Sequence, residues 1–256
     1  MRFFRPFLCA LAFLTRIPVP GRWCNFDHQD WHDSSCWFPL VGLLLGAILG
    51  GLWFLLRQHL AAPVLAALLL AIQVFLTGGL HLDGLMDTID GVYGGRDREE
   101  RLAFMKDSHV GAFGVIAAVL VLILKYSLYT QLSFHLLPYL IIAPVLGRQS
   151  QVWAQVMFPY ARQQGVGSLF SIYGDYRKLM ITTGISLFLL VALLKLTGVG
   201  IFMAAGLFFY LIAGWLSRLL DGLTGDTYGA LCELTEVVVL LIGVLLAGFL
   251  SGGRWV

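Results

Sequence analysis

The chain reads as an all-α, polytopic integral membrane bundle, with about six or seven transmembrane helices and an N-terminal interfacial or re-entrant helix. Composition is the first reason. Of 256 residues, 59% are hydrophobic and only 12% charged, whereas a soluble domain of this size carries roughly a quarter charged residues. The second reason is a series of apolar runs close to the ~20 residues that cross a bilayer. They cover 38–56, 61–80, 110–129, 179–196, 199–216 and 237–250. A seventh, 136–157, is apolar only in its first half, because Arg148, Gln149, Gln151 and Gln155 occupy the second. The third reason is the asymmetry of the basic residues between these runs. Residues 1–256 are taken as one membrane-embedded domain.

The apolar run Phe7 to Leu14 is too short to span and is followed by Arg16 and two prolines. No small-residue cleavage site follows it, so it is read as a helix at the interface rather than a removed signal. Cys9, Cys24, Cys36 and Cys232 form no CxxC pair, which argues against a disulfide framework or a zinc ribbon. Cys24, His28, His32 and Cys36 recur at intervals of four, a spacing that can bind zinc on a helix. Crowding by Asp27, Asp30 and Asp33 and the nearby Trp31 and Trp37 favour a polar membrane-surface segment instead.

Basic residues favour the cytoplasmic side. With the N-terminus inside, Arg2, Arg5, Arg16, Arg22, Arg96, Arg98, Arg101, Lys106, Arg148, Arg162, Arg177, Lys178 and Arg218 are inside, and Arg57, Lys125, Lys195 and Arg254 outside. All 15 acids then fall on the inner side too. The outer face is nearly featureless and polar residues do not extend across the midplane to both faces, which disfavours a transporter. The net charge of +2 gives no reason to expect nucleic acid.

The densest motif runs from Gly78 to Gly91 and contains His81, Asp83, Asp87 and Asp90. On a helix the three aspartates stand at i, i+4 and i+7, within an arc of roughly 60°. Like charges on one stripe at a membrane edge are costly. Bound Mg²⁺ or Mn²⁺, which takes hard oxygen ligands and bridges carboxylates to phosphates, relieves that cost. The ordinary reading, a solvated acidic face, is weakened by Leu85, Met86 and Ile89 between the acids. Downstream, Gly94-Gly95-Arg96, then Lys106-Asp107-Ser108-His109 and Gly111 suit a turn that offers N–H groups and a cation to phosphate.

A second cluster, Asp221, Asp226, Glu233 and Glu236, leads into the last run. Asp226 and Glu233 share a face with Gly229 between them, and are read as the other half of a metal or substrate site. Acids opening a helix are also ordinary dipole partners, a reading equally good for Glu236. Leu-Asp-Gly-Leu occurs at both 82–85 and 220–223, a weak sign of an internal repeat. In the seventh run Arg148, Gln151 and Gln155 form a polar stripe, suited either to a hydrogen bond with another helix or to a phosphate contact from Arg148.

Phe13-Leu14-Thr15-Arg16-Ile17-Pro18-Val19-Pro20, Phe38-Pro39-Leu40-Val41-Gly42, the first acidic cluster, Met105-Lys106-Asp107-Ser108 and Thr224-Gly225-Asp226 occur in that order. Together they resemble the cobalamin synthase (adenosylcobinamide-GDP ribazoletransferase) family over most of the chain. The resemblance implies a multi-pass enzyme of the bacterial inner membrane, dependent on Mg²⁺, with its active site facing the cytoplasm. Its substrates would be adenosylcobinamide-GDP and α-ribazole or the 5′-phosphate, and it would release GMP late in cobalamin assembly. Asp83, Asp87, Asp90, Lys106, Asp107, Asp226 and Glu233 fall in the family's motifs. His109 stands where arginine is more usual, and Asp221 where small residues are.

The expected roles follow. Asp83, Asp87, Asp90 and Asp226 hold metal; Asp90 or His81 accepts the hydroxyl proton; Lys106 and Arg148 hold phosphate oxygens. Arg96, Ser108, His109, Gln151 and Glu233 complete the substrate contacts. Membrane lipid is the expected surrounding, and a homo-oligomer is compatible with the sequence. The alternative is another metal-dependent phosphoalcohol or prenyl transferase, which solves the same charge problem with related carboxylate patterns.

Overall fold

The apolar runs fold as helices, and the polar breaks between them decide where each one ends. The structure, a computed structural model, describes residues 4–23, 25–162 and 173–250. Among these, the helices are α1 (Arg5–Leu14), α2 (His28–Ser34), α3 (Phe38–Leu56), α4 (Ala62–Thr77), α5 (Leu80–Gly94) and α6 (Arg98–Phe104). They continue as α7 (Ala112–Thr130), α8 (Leu137–Met157), α9 (Tyr176–Leu194), α10 (Leu196–Leu220) and α11 (Gly225–Leu250). Among the described residues five helical segments are long and apolar enough to cross a membrane, or six if the bent pair α4 and α5 is one span. The chain is a polytopic membrane helical bundle. Arg2, Cys24 and Arg254 lie outside the described residues.

The run at 61–80 is not one straight helix. Gly78 and Gly79 take left-handed φ values of 62° and 72°, a conformation glycine adopts without a Cβ penalty. α5 therefore leaves α4 at 86°. The joint turns the aspartate stripe away from the axis of α4. The N-terminal run forms the ten-residue α1, and it buries Ala10, Leu11 and Leu14 against Phe38, Val41, Val152 and Val156.

The least lipid-like run becomes the middle of the bundle. α8 is buried along nearly all its length, packed between α3 and α11. Gly42 and Gly46 of α3 let the two backbones touch: a Cβ on Gly46 would fall on the Ile141 carbonyl, and one on Gly42 on that of Pro144. Small residues four apart are the usual device for close helix contact in membranes. The polar half of α8 is satisfied by neighbours, with Ser35 Oγ donating to Gln155 Oε1 at 2.8 Å and Gln149 meeting Thr182 and Ser186 of α9.

Two expectations fail for one reason. The last helix starts at Gly225, well before 237, so Glu233 and Glu236 lie inside it, about 12 and 16 Å from its start. Lys125, expected on the outer side, is buried and donates to Glu233 Oε2 at 2.5 Å and Glu236 Oε2 at 2.6 Å. Arg148 Nη1 pairs with Glu236 Oε1. Gln73 Nε2 donates to Glu236 Oε2 at 2.6 Å, and Tyr129 OH to Gln73 Oε1 at 2.6 Å. The interior is thus not bare of charge. Two cations and two carboxylates neutralise one another, and hydrophobicity alone does not register charges that cancel in space.

The Leu-Asp-Gly-Leu echo is also not a structural repeat. Residues 82–85 are helical, whereas Asp221 (φ 53°) and Gly222 (φ 134°) form the turn between α10 and α11. Gly46→Leu is expected to cost about 3 kcal/mol or more by driving α8 off α3. Gly51→Leu, on the same helix but with open space around it, should change little; the apparent Tm of both in detergent checks this.

Candidate active site

The site begins with the contact between α5 and α11. A Cβ on Gly84 would lie 2.7 Å from the Asp226 carbonyl oxygen, and one on Gly229 would lie 3.1 Å from that of His81. Only glycines let the helices come this close. The contact sets Asp83 of α5 beside Asp226 in the first turn of α11. Thr224 and Thr227 fix that turn reciprocally: Thr224 N–H donates to Thr227 Oγ1 at 2.8 Å, and Thr227 N–H to Thr224 Oγ1 at 3.3 Å.

A cavity of about 370 Å³ opens at this junction, and His81, Asp83, Gln151, Tyr160, Arg162 and Asp226 are among its walls. Arg162 Nη1 pairs with Asp226 Oδ2 at 2.8 Å, while its Nε and Nη2 are buried without a hydrogen-bond partner among the described residues. It reaches the site because 159–161 lie against the α10–α11 turn: Ala161 N–H donates to Leu223 O at 2.8 Å, and Leu223 N–H to Pro159 O at 2.9 Å. Arg98 straps the two segments together, donating from Nε to Leu220 O and from Nη2 to Ala161 O, both at 3.0 Å. Arg16 and Asp83 line a neighbouring depression over Gly78.

The acids separate by their partners. Asp90 is committed elsewhere: its Oδ2 accepts from Gly111 N–H at 2.9 Å and its Oδ1 from Gly114 N–H at 2.8 Å. A carboxylate at the N-terminus of α7 is a favourable cap, and it takes Asp90 out of the line formed with Asp83 and Asp87. Glu233 and Glu236 are held by Lys125 and Arg148. Asp221 faces Arg98 at 3.4 Å on the surface. Among the described residues, Asp83 and Asp87 alone of the acids have neither a side-chain hydrogen bond nor an ion pair. Asp87, half-buried one turn beyond Asp83, feels the charges of Asp226, Asp83 and Asp90, with Arg162 opposing them.

The other expected residues divide similarly. His81 and Gln151 line the cavity. Arg148 is buried behind it, with Nη2 3.5 Å from His81 Nδ1. Arg96 lines a separate hollow with Asp107. Lys106, Ser108 and His109 are exposed on the α6–α7 connection. There the His109 backbone N–H and ring hold the Asp107 carboxyl below its usual range. In the His/Cys segment, His32 and Asp33 engage Lys178 of α9, which anchors α2 to the bundle. Sequence reasoning counted Arg98 and Arg162 only as inner-side charges; their roles depend on a pairing between distant loops that no local spacing announces.

Hard oxygen donors with unbalanced charge suit Mg²⁺. Among the described residues no three His, Cys, Asp or Glu side chains form a preformed metal cage.

The cobalamin-5-phosphate synthase family model matches residues 6–244. The adenosylcobinamide-GDP ribazoletransferase of Desulfitobacterium hafniense (strain Y51) is 46% identical over 241 residues, covering 91% of this chain and 93% of its own. Those of Thermosynechococcus vestitus and Escherichia coli (strain K12 / DH10B) are 40% and 36% identical, covering 91% and 92% of this chain and 93% and 97% of theirs. No solved structure matches the chain.

Asp90→Ala is expected to cost about 2 kcal/mol by uncapping α7. Asp83→Asn should leave the apparent Tm unchanged or raise it, because it removes an unpaired like charge. Thermal unfolding of the two variants in detergent separates a structural carboxylate from a functional one.

Proposed function

The chain belongs to the cobalamin-5-phosphate synthase family, and from that premise we propose that it joins adenosylcobinamide-GDP to α-ribazole, or its 5′-phosphate, and releases GMP. The observation that carries the reading is a pair of carboxylates without partners among the described residues: Asp83, in the cavity wall with Asp226 and Arg162, and Asp87, one turn beyond it and within the field of Asp226. Such an edge repels anions until a cation joins it, and then it holds a diphosphate.

Asp83, Asp87 and Asp226 would hold Mg²⁺, which when bound supplies charge neutralisation for the diphosphate and the leaving phosphate. Arg162 offers Nε and Nη2, which have no partner among the described residues, to phosphate oxygens. The ribazole hydroxyl oxygen forms a bond to the phosphorus that carries cobinamide, the P–O bond to GMP breaks, and the hydroxyl proton passes to the carboxylate group. Asp90 is not the acceptor, since both its oxygens cap α7.

The cavity, about 370 Å³, is at the small end of the roughly 300–1,000 Å³ usual for small-molecule sites. It suits the reacting diphosphate and one end of the nucleoside, with the far larger corrin ring outside. The concentration of arginines on the connections around α6 favours a cytoplasmic location for this face, in a bacterial inner membrane.

The purified full chain should release GMP from adenosylcobinamide-GDP only when α-ribazole and Mg²⁺ are both present, and chelation should abolish release reversibly. Asp87→Asn should lower turnover by about 10²-fold or more while the protein still extracts as a folded species. Near-normal Mg²⁺-dependent turnover in that variant would falsify the assignment.

A further inference from the structure

His81 lies in the first turn of α5 with 1% of its surface exposed, and it is among the residues that line the cavity. Its two nitrogens meet different surroundings. Nδ1 faces Arg148 Nη2 at 3.5 Å. Nε2 is buried and has no hydrogen-bond partner among the described residues.

A guanidinium has five donors, no acceptor, and keeps its proton in proteins. The contact therefore has one sense: Arg148 donates and Nδ1 accepts. A neutral imidazole with an accepting Nδ1 carries its proton on Nε2. A second proton on Nδ1 would point at the guanidinium's own N–H.

Arg148 is not free to turn away. Its Nη1 is held by Glu236 Oε1, and Glu236 Oε2 also accepts from Lys125 Nζ and Gln73 Nε2, both at 2.6 Å. Gln73 cannot present its other end, because its Oε1 accepts from Tyr129 OH at 2.6 Å. From the other side, Gly229 lies against the His81 backbone. The ion network of α4, α7, α8 and α11 thus sets the orientation of one ring at the cavity.

We infer that this buried network fixes the His81 tautomer with its proton on Nε2, as a donor to a phosphoryl oxygen bound at the cavity, and that His81 is not the base that takes the hydroxyl proton. A buried N–H without a partner is costly, and an oxygen bound in the cavity removes that cost. Arg148, Glu236 and Lys125 are positioning residues, since none of them lines the cavity. The identity of the acceptor rests on the phosphoryl-transfer reading above; the tautomer does not.

NMR of the full chain in detergent, with histidine labelled in its ring nitrogens, reads the tautomer directly. The His81 signals are assigned by their loss in His81→Gln. The expected result is a protonated Nε2 and a bare Nδ1, with the preference weakened in Arg148→Met. A protonated Nδ1 in the wild type overturns the inference. Inorganic diphosphate with Mg²⁺ should shift the Nε2 signal, and no shift at saturating diphosphate overturns the phosphate-donor role.

In GMP release, His81→Leu should lower kcat by about 10²–10³-fold, and His81→Gln should recover most of that loss. A glutamine amide can donate near the Nε2 position but cannot accept a proton from a hydroxyl, so His81→Gln as inactive as His81→Leu overturns the inference. If His81→Leu does not fold, the kcat of His81→Gln against wild type decides alone. If the wild type releases no GMP, the proposed reaction fails, while the tautomer and diphosphate measurements still decide the donor.

Discussion

The arrangement depends on the backbone contact between α5 and α11 at Gly84 and Gly229. Two helices that carry aspartates on their facing sides would normally be kept apart by side chains and by charge. Removing the side chains at the crossing lets van der Waals contact hold the pair, and the aspartates then sit at the rim of that contact. Asp83 and Asp226 are neighbours because of two missing Cβ atoms rather than any attraction between them. The bend at Gly78-Gly79 contributes the rest, since a straight continuation of α4 would carry the stripe away from α11.

The buried network performs the complementary task. In lipid an isolated charge is expensive, and a half-broken ion pair more so than none. Lys125, Arg148, Glu233 and Glu236 balance in number, and Gln73 and Tyr129 extend the hydrogen bonding. A set of this kind tolerates little rearrangement, because any rotation exposes a charge to apolar surroundings. That rigidity extends through Arg148 to His81 at the edge of the cavity.

Parts of this were legible in the sequence for definite physical reasons. α3 is an uninterrupted apolar run, and its observed limits agree with the run. The all-helical membrane class followed from composition and run length. The start of α11 was not legible, because Glu233 and Glu236 look like the end of a span until Lys125 and Arg148 are placed beside them. α8 looked marginal for the same reason: its polar half is satisfied by other helices rather than by water. Asp83, Asp87 and Asp226 are recognisable as candidates from spacing. The commitment of Asp90 to α7 is not, since Gly111 and Gly114 are distant in sequence and unremarkable alone.

A run of acids in a sequence cannot be sorted by type, because every carboxylate carries the same charge. It can be sorted by what each one touches. Most acids here have an evident structural occupation: Asp27, Asp97 and Asp175 cap helices, Asp30 holds Arg5, and Glu233 and Glu236 balance the buried cations. Each of these lowers the energy of the fold as it stands. Asp83 and Asp87 do not, and crowding beside Asp226 makes them a cost to it. A protein that keeps a repulsive pair beside a third acid is most stable when something positive is added there. Added positive charge is therefore most favourable at these two residues, and Arg162, paired with Asp226 and with Nε and Nη2 lacking partners among the described residues, offers complementary donors to an anion. That combination is the basis for proposing a metal-bound phosphate here, and the same logic removes Asp90, Glu233 and Glu236 from its proposed first contacts.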